Sequence, residues 1–369
     1  MNLVTYLGPV KRIVLLCLLA WSSLAQAQRP DTTSRKGNWV GVPVLFRLPE
    51  TGWGAGAAAM HTRFLGNAST TPPSQIQFGF AYTQNKQLLV YLPFQLYAAD
   101  DRWRAKGEVG YYRYSYFYYG RGNELQDPEG ERFYVTFPRL RLDWLFPLSI
   151  QRHFAGVRYW FEDYQVDTDR YTPGGYFDTG IVPGGTGSAV SGLGIVYLAD
   201  HRDHVMQPKQ GWYVEASYQH FSQALGGSSG FDRYRLDIRG YRNLKDIHTL
   251  ASRLWLEYGT GDVPFQQLAL MGGSRRMRGF YEGRFRDRNA IIWQGECRLD
   301  IRERWGAVAF ASLGMVASQP QGFALKHLRN TYGVGARFEL DQASRLNLRF
   351  DVGVGEGKLQ TYFTFGEAF

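Results

Sequence analysis

Residues 271–288 read Met-Gly-Gly-Ser-Arg-Arg-Met-Arg-Gly-Phe-Tyr-Glu-Gly-Arg-Phe-Arg-Asp-Arg. Glycine lets a backbone fold tightly on itself, and guanidinium forks make paired bonds to carboxylates. A loop that combines the two can enter a confined polar space and dock there. Gly272, Gly273, Met277, Arg278, Gly279 and Phe280 form its centre. A second cluster, Asp200-His201-Arg202-Asp203-His204, holds two imidazoles and two carboxylates that could suggest a metal. It falls where a polar turn is expected, so no metal and no cofactor is assigned. The histidines that could act as bases are His61, His153, His220, His248 and His327, and none is flanked by a recognisable nucleophile motif. There is no Gly-x-Ser-x-Gly elbow and no His-Glu-x-x-His pair, so no catalytic residue is named and an enzyme is not expected.

The segments that must position the loop have period two. In Arg139-Leu140-Arg141-Leu142-Asp143-Trp144 the apolar residues fall on one face and the charged ones on the other. Residues 291–301 repeat the split, with Ile291, Trp293, Cys297 and Leu299 opposite Gln294, Glu296, Arg298 and Asp300. So do residues 346–354, where Asn347, Arg349 and Asp351 oppose the apolar set. Sixteen such segments run from 42–48 to 359–369, separated by Gly, Pro, Asp and Asn clusters. Many are about ten residues long, which suits a tilted bilayer crossing better than a soluble sandwich. The reading is all-β: a 16-stranded antiparallel transmembrane β-barrel whose polar faces line a wet lumen. Short turns such as 302–304 and 341–344 fall on one side, while the long connections 115–131, 167–187 and 259–288 fall on the other. The aromatic run 111–119 reads as an interfacial girdle, with rings at headgroup depth.

The chain has 369 residues, 44% hydrophobic and 16% aromatic, too much apolar side chain for disorder. Mean hydropathy is nonetheless slightly negative, and nothing beyond the first thirty residues approaches a spanning helix. Lys11 and Arg12, the apolar run 13–19 and Ala25-Gln26-Ala27 read as an export signal over 1–27, followed by a short periplasmic lead-in at 28–37 and the barrel at 38–369. Cys17 lacks the small residue that a lipoprotein site expects before it. Loss of 1–27 leaves Cys297 as the one cysteine, so no intrachain disulfide is expected. Net charge drops from +9 to +7 as Lys11 and Arg12 are lost; the arginines are spread along strands, so nucleic acid is not a partner.

Met271-Gly272-Gly273 followed by Met277-Arg278-Gly279-Phe280-Tyr281 resembles the BamA/TamA family of bacterial surface antigen barrels, whose sixth extracellular loop carries a Gly-Gly pair and a Val/Leu-Arg-Gly-Phe/Tyr motif. Met277 stands where Val or Leu is usual. The loop lies between strands 11 and 12, as in that family. The resemblance implies a loop folded into the lumen, with Arg278 docked on one of Asp351, Glu296, Asp300 or Glu339. Where relatives carry Phe-x-Asp-x-Gly this chain has Phe310-Ala311-Ser312-Leu313-Gly314, so Asp351 is the first choice and Glu296 the second. The ending, with Phe363, Phe365, Gly366 and Phe369, is similar to the family's closing strand and to a general outer-membrane assembly signal. The resemblance further implies insertion or translocation of protein or lipid at the outer membrane. Its partners would be membrane lipid, the assembly machinery that inserts the barrel, and a periplasmic protein in the place of the POTRA repeats that relatives carry. A passive pore or scaffold is the alternative.

Overall fold

A computed structural model describes residues 37–48, 52–67, 71–98, 101–124, 129–244, 248–341 and 345–369. The proposed signal segment 1–27 and most of the lead-in lie outside the described residues. The described strands are β1 (Asn38–Leu48), β2 (Gly52–Arg63), β3 (Ser74–Thr83), β4 (Leu88–Ala98), β5 (Trp103–Tyr118), β6 (Glu131–Pro147), β7 (His153–Val166), β8 (Gly187–Asp200) and β9 (Gly211–Phe221). They continue as β10 (Phe231–Leu244), β11 (His248–Gly261), β12 (Ala269–Met271), β13 (Phe285–Asp287), β14 (Asn289–Arg302), β15 (Trp305–Ala317), β16 (Arg329–Asp341), β17 (Leu346–Gly355) and β18 (Lys358–Phe365). Sixteen of them form one antiparallel meander in chain order, while β12 and β13 pair separately within the loop between β11 and β14.

The sheet curls around an interior that side chains bridge from opposite walls. Lys106 on β5 reaches Glu215 on β9 at 2.5 Å, and Asn123, just beyond β5, donates to the Val316 carbonyl on β15 at 2.5 Å. Alternation assigns the faces: Leu140, Trp144, Ile238, Trp293, Leu313 and Phe350 are exposed outward, whereas Asp143, Arg158, Glu162, Asp237, Arg253, Glu296 and Asp351 are buried inward. An outward belt of large apolar side chains is stable only against lipid, and the strand lengths fit that crossing. None of the described helices is long and apolar enough to cross a membrane. β1 and β18 are the two edges of the sheet, and among the described residues no ladder joins them.

The structure departs from the sequence reading in three places. β5 runs on to Tyr118, where a loop was expected from residue 115. The run 111–119 is not a uniform girdle, because period two divides it: Tyr111 points outward while Tyr112 and Tyr118 are buried inside. With Phe133, Phe137, Phe177 and Phe265 these two build an apolar core across the long-loop end, so the interior is wet only in part. Residues from the loops at 167–186 and 262–268 supply its lid, since Phe177, Val182 and Phe265 bury themselves over the mouth. Finally, β18 ends at Phe365 and not at Phe369.

Candidate functional site: the docked loop and its charged seat

The loop between β11 and β14 turns into the barrel. Ala269 pairs with Asp287 and Met271 with Phe285, so β12 and β13 form the neck of a hairpin. Gly273 N–H donates to the Phe280 carbonyl and Gly283 N–H to the Met271 carbonyl, both at 2.9 Å. Met271, Met277, Phe280 and Phe285 are fully or almost fully buried against Ala290, Ile292 and Val316. That buried apolar area, at about 25 cal/mol per Å², holds the hairpin in the lumen. Met277 fits where relatives carry Val or Leu because Gly314 leaves space: a Cβ there would sit 2.9 Å from the Met277 sulfur.

Arg278 is 0% exposed. Its Nη1 donates to Asp351 Oδ2 at 2.6 Å and its Nη2 to Glu296 Oε1. The guanidinium lies over the Phe310 ring, 3.7 Å from its centroid. Two carboxylates and an aromatic face thus compensate a charge that would be costly if buried alone. The other two candidate acids stand elsewhere. Asp300 takes the Lys209 ammonium at 2.5 Å near the short-turn rim, and Glu339 is half-buried on β16 near its short-turn end, paired in register with Asn347. Neither shares a contact with Arg278, because each lies closer to the strand ends than the level at which the loop docks.

Contacts that sequence reasoning missed complete the seat. Gly279 N–H donates to the Tyr362 hydroxyl at 3.0 Å, and that hydroxyl donates to the Phe280 carbonyl at 2.8 Å. Tyr362 is on β18, so the motif is bonded directly to an edge strand. Gly353 on β17 provides the clearance, since a Cβ there would lie 2.8 Å from Gly279 N and 2.9 Å from the Arg278 carbonyl carbon. The only signal for either was an inward position in the alternation.

The seat is part of a closed circuit of alternating charge. Glu296 also binds Arg298 at 2.7 Å; Arg298 approaches Glu367 at 4.0 Å; Glu367 binds Arg337 at 2.9 Å; and Arg337 binds Asp351 at 2.6 Å. Asp351 and Glu296 then both return to Arg278. Glu367 comes from the C-terminal tail, and this corrects the reading of the chain's end. Gly366 takes φ +74°, a left-handed turn that glycine adopts without strain, and the tail bends into the lumen. Phe369 is buried beside Tyr241 with ring centroids 6.4 Å apart, and its carbonyl oxygen accepts from Arg298 Nη2 at 3.0 Å. Phe363 is exposed outward on β18, and the side chain of Phe365 lies outside the described residues.

The residues of the suggested metal cluster do not converge. His201 stacks on Trp212 with centroids 4.3 Å apart and places its Nε2 3.2 Å from His153 Nε2, while His204 Nδ1 accepts from the Met206 and Gln207 backbone. Asp200 is held by Arg202 at 2.8 Å, and Asp203 accepts from the backbone of Lys209 and Gln210. Among the described residues no group of three or more His, Cys, Asp or Glu side chains could hold a metal ion.

Residues 64–369 match the family model of the Omp85 superfamily domain. The chain belongs to the Omp85 superfamily. Solved structures similar to this Omp85 chain include BamA from Haemophilus ducreyi lacking POTRA domains 1-3, at 16% identity and a TM-score of 0.54, covering 90% of this chain and 69% of that one. CdiB from Acinetobacter baumannii is 12% identical with a TM-score of 0.55, covering 90% and 60%. CdiB from Escherichia coli is 10% identical with a TM-score of 0.56, covering 92% and 63%. The Omp85 chain therefore spans less than two thirds of the length of either CdiB. At these identities the likeness is one of fold. No curated protein sequence matches the chain.

Proposed function

We propose that this Omp85 barrel resides in the outer membrane and assists insertion or translocation of protein or lipid there, with a separate periplasmic partner that delivers the client. Its working part is the seam between β1 and β18, and the docked loop is the brace that sets how readily the seam opens. One observation carries this reading: the Tyr362 hydroxyl ties the loop backbone at Gly279 and Phe280 to β18, an edge strand of the sheet. A brace bonded to an edge couples interior packing to the membrane-facing gap. The reading assigns no covalent chemistry to the barrel, and the export segment at 1–27 delivers the chain to its membrane.

The test is a disulfide across the seam, between β1 near Val44 and β18 near Phe363, in a Cys297→Ser background that removes the native thiol. The oxidised form is expected to stay folded and to lose client insertion or translocation in reconstituted vesicles, with recovery on reduction. Full activity in the locked form would favour a passive scaffold instead.

A further inference from the structure

Below the docked loop the lumen is hollow. A cavity of about 800 Å³ runs from the tail at 366–369, at the short-turn end, up to the loop tip at 272–276. Nine lysine and arginine side chains line it against five carboxylates, and further carboxylates just behind the lining, Asp101, Glu162 and Asp237, pair with several of those cations. Most of these cations are neutralised in pairs, as Lys106 is by Glu215 and Arg202 by Asp200. The tip is different. Arg275 is exposed to the cavity, and among the described residues no carboxylate lies within ion-pair distance of its guanidinium. Arg276 has only a 3.9 Å approach to Glu257 and rests over Trp255, 5.0 Å from the ring centroid. The indole N–H of Trp255 is buried and finds no acceptor among the described residues.

These donors are held in place. Arg253 Nη1 donates to the Arg275 carbonyl at 3.2 Å and Arg349 Nη2 to the Ser274 carbonyl at 3.0 Å, so the tip backbone is fixed from two sides of the wall. Glu282 shares the cavity, and among the described residues Arg275 is the lining cation left without a carboxylate partner. Two guanidinium forks at the tip suit a ligand with several oxygens and more than one negative charge, and guanidinium geometry matches phosphate. The volume is that of a small-molecule site and exceeds what a bare ion needs. We propose that this cavity binds a phosphate-bearing ligand at the loop tip, through Arg275 and Arg276. The binding does not depend on whether the seam opens.

Calorimetry on the full barrel in a non-ionic detergent tests this with three probes: sodium pyrophosphate, monomeric dihexanoyl phosphatidic acid and poly-glutamate. Saturable binding of a phosphate probe is expected, weakened by about tenfold or more in Arg275→Gln/Arg276→Gln, as loss of charge-assisted bonds implies. Tighter binding of the lipid would assign a headgroup, and tighter binding of pyrophosphate a free phosphate compound; either supports the site. The proposal is overturned if neither phosphate probe saturates, if the substitutions leave affinity unchanged, or if poly-glutamate competes as well as pyrophosphate. Should the double variant not fold, Arg275→Gln alone serves, because that side chain is exposed and makes no ion pair to lose.

Discussion

Arg278 and Glu367 enter the barrel from opposite ends and are joined by two parallel routes, one through Glu296 and Arg298 and the other through Arg337 and Asp351. One residue sits on the loop between β11 and β14, the other in the tail beyond β18. Buried charges in such a circuit are each compensated by neighbours on both sides, so removing one strands two others. The brace and the tail are therefore expected to loosen together.

Arg278→Ala leaves Asp351 and Glu296 facing one another inside the wall without their shared cation. A loss of about 3 to 5 kcal/mol is expected, the usual cost of removing one partner from a buried pair. Asp351→Asn should act in the same direction, and the double variant should fall well short of the sum. Folding titrations in detergent measure this, and full additivity would place the two residues in separate networks.

Glu367→Gln tests the far side of the circuit. It removes the carboxylate from Arg337 and Arg298 while keeping the size of the side chain. Loss of heat resistance on gel mobility is expected, again less than additive with Arg278→Ala. Unchanged amide exchange of the loop in Glu367→Gln would show that the tail and the loop are not coupled.

Gly279→Ala probes the docking geometry without touching charge. Gly279 has φ +117°, and a Cβ there would meet the Val354 backbone carbonyl carbon at 2.8 Å. Backbone cannot yield as a flexible side chain can, so the motif should lift away from β17. Faster proteolysis within 272–284 is expected, with the sheet itself intact. Protection equal to the parent would show that the wall adapts.

The short-turn end should respond to acid. Burial, then the nearby His153 and Arg152, lower the His201 pKa below its ordinary 6.5. The folded state thus favours the neutral imidazole, while the unfolded chain takes up a proton more readily. The sign follows: this contribution is present above pH 6.5 and is lost as pH falls through the lowered folded value. Trp212 fluorescence should report the change, since His201 stacks on that ring, and His153→Gln should move the midpoint upward. An unmoved midpoint would mean the two imidazoles do not interact.

Much of the architecture was legible in the residues alone. Each strand meets lipid on one face and the interior on the other, so the alternation in 139–144, 291–301 and 346–354 marks strand, face and approximate ends locally. The Gly-Arg loop could be recognised for the same reason: its composition is a property of eighteen consecutive residues. Asp351 and Glu296 could be named for Arg278 only through the family resemblance, because position along a strand does not decide which groups meet across the lumen. Arg278 lies 73 positions from Asp351 and 18 from Glu296, and only the curvature of the sheet and the depth of insertion bring both to it. The inward tail, the aromatic core at the long-loop end, the Tyr362 tether and the pairing of His201 with His153 arise likewise. Each depends on contacts around a circumference, and periodicity along a strand carries no information about those.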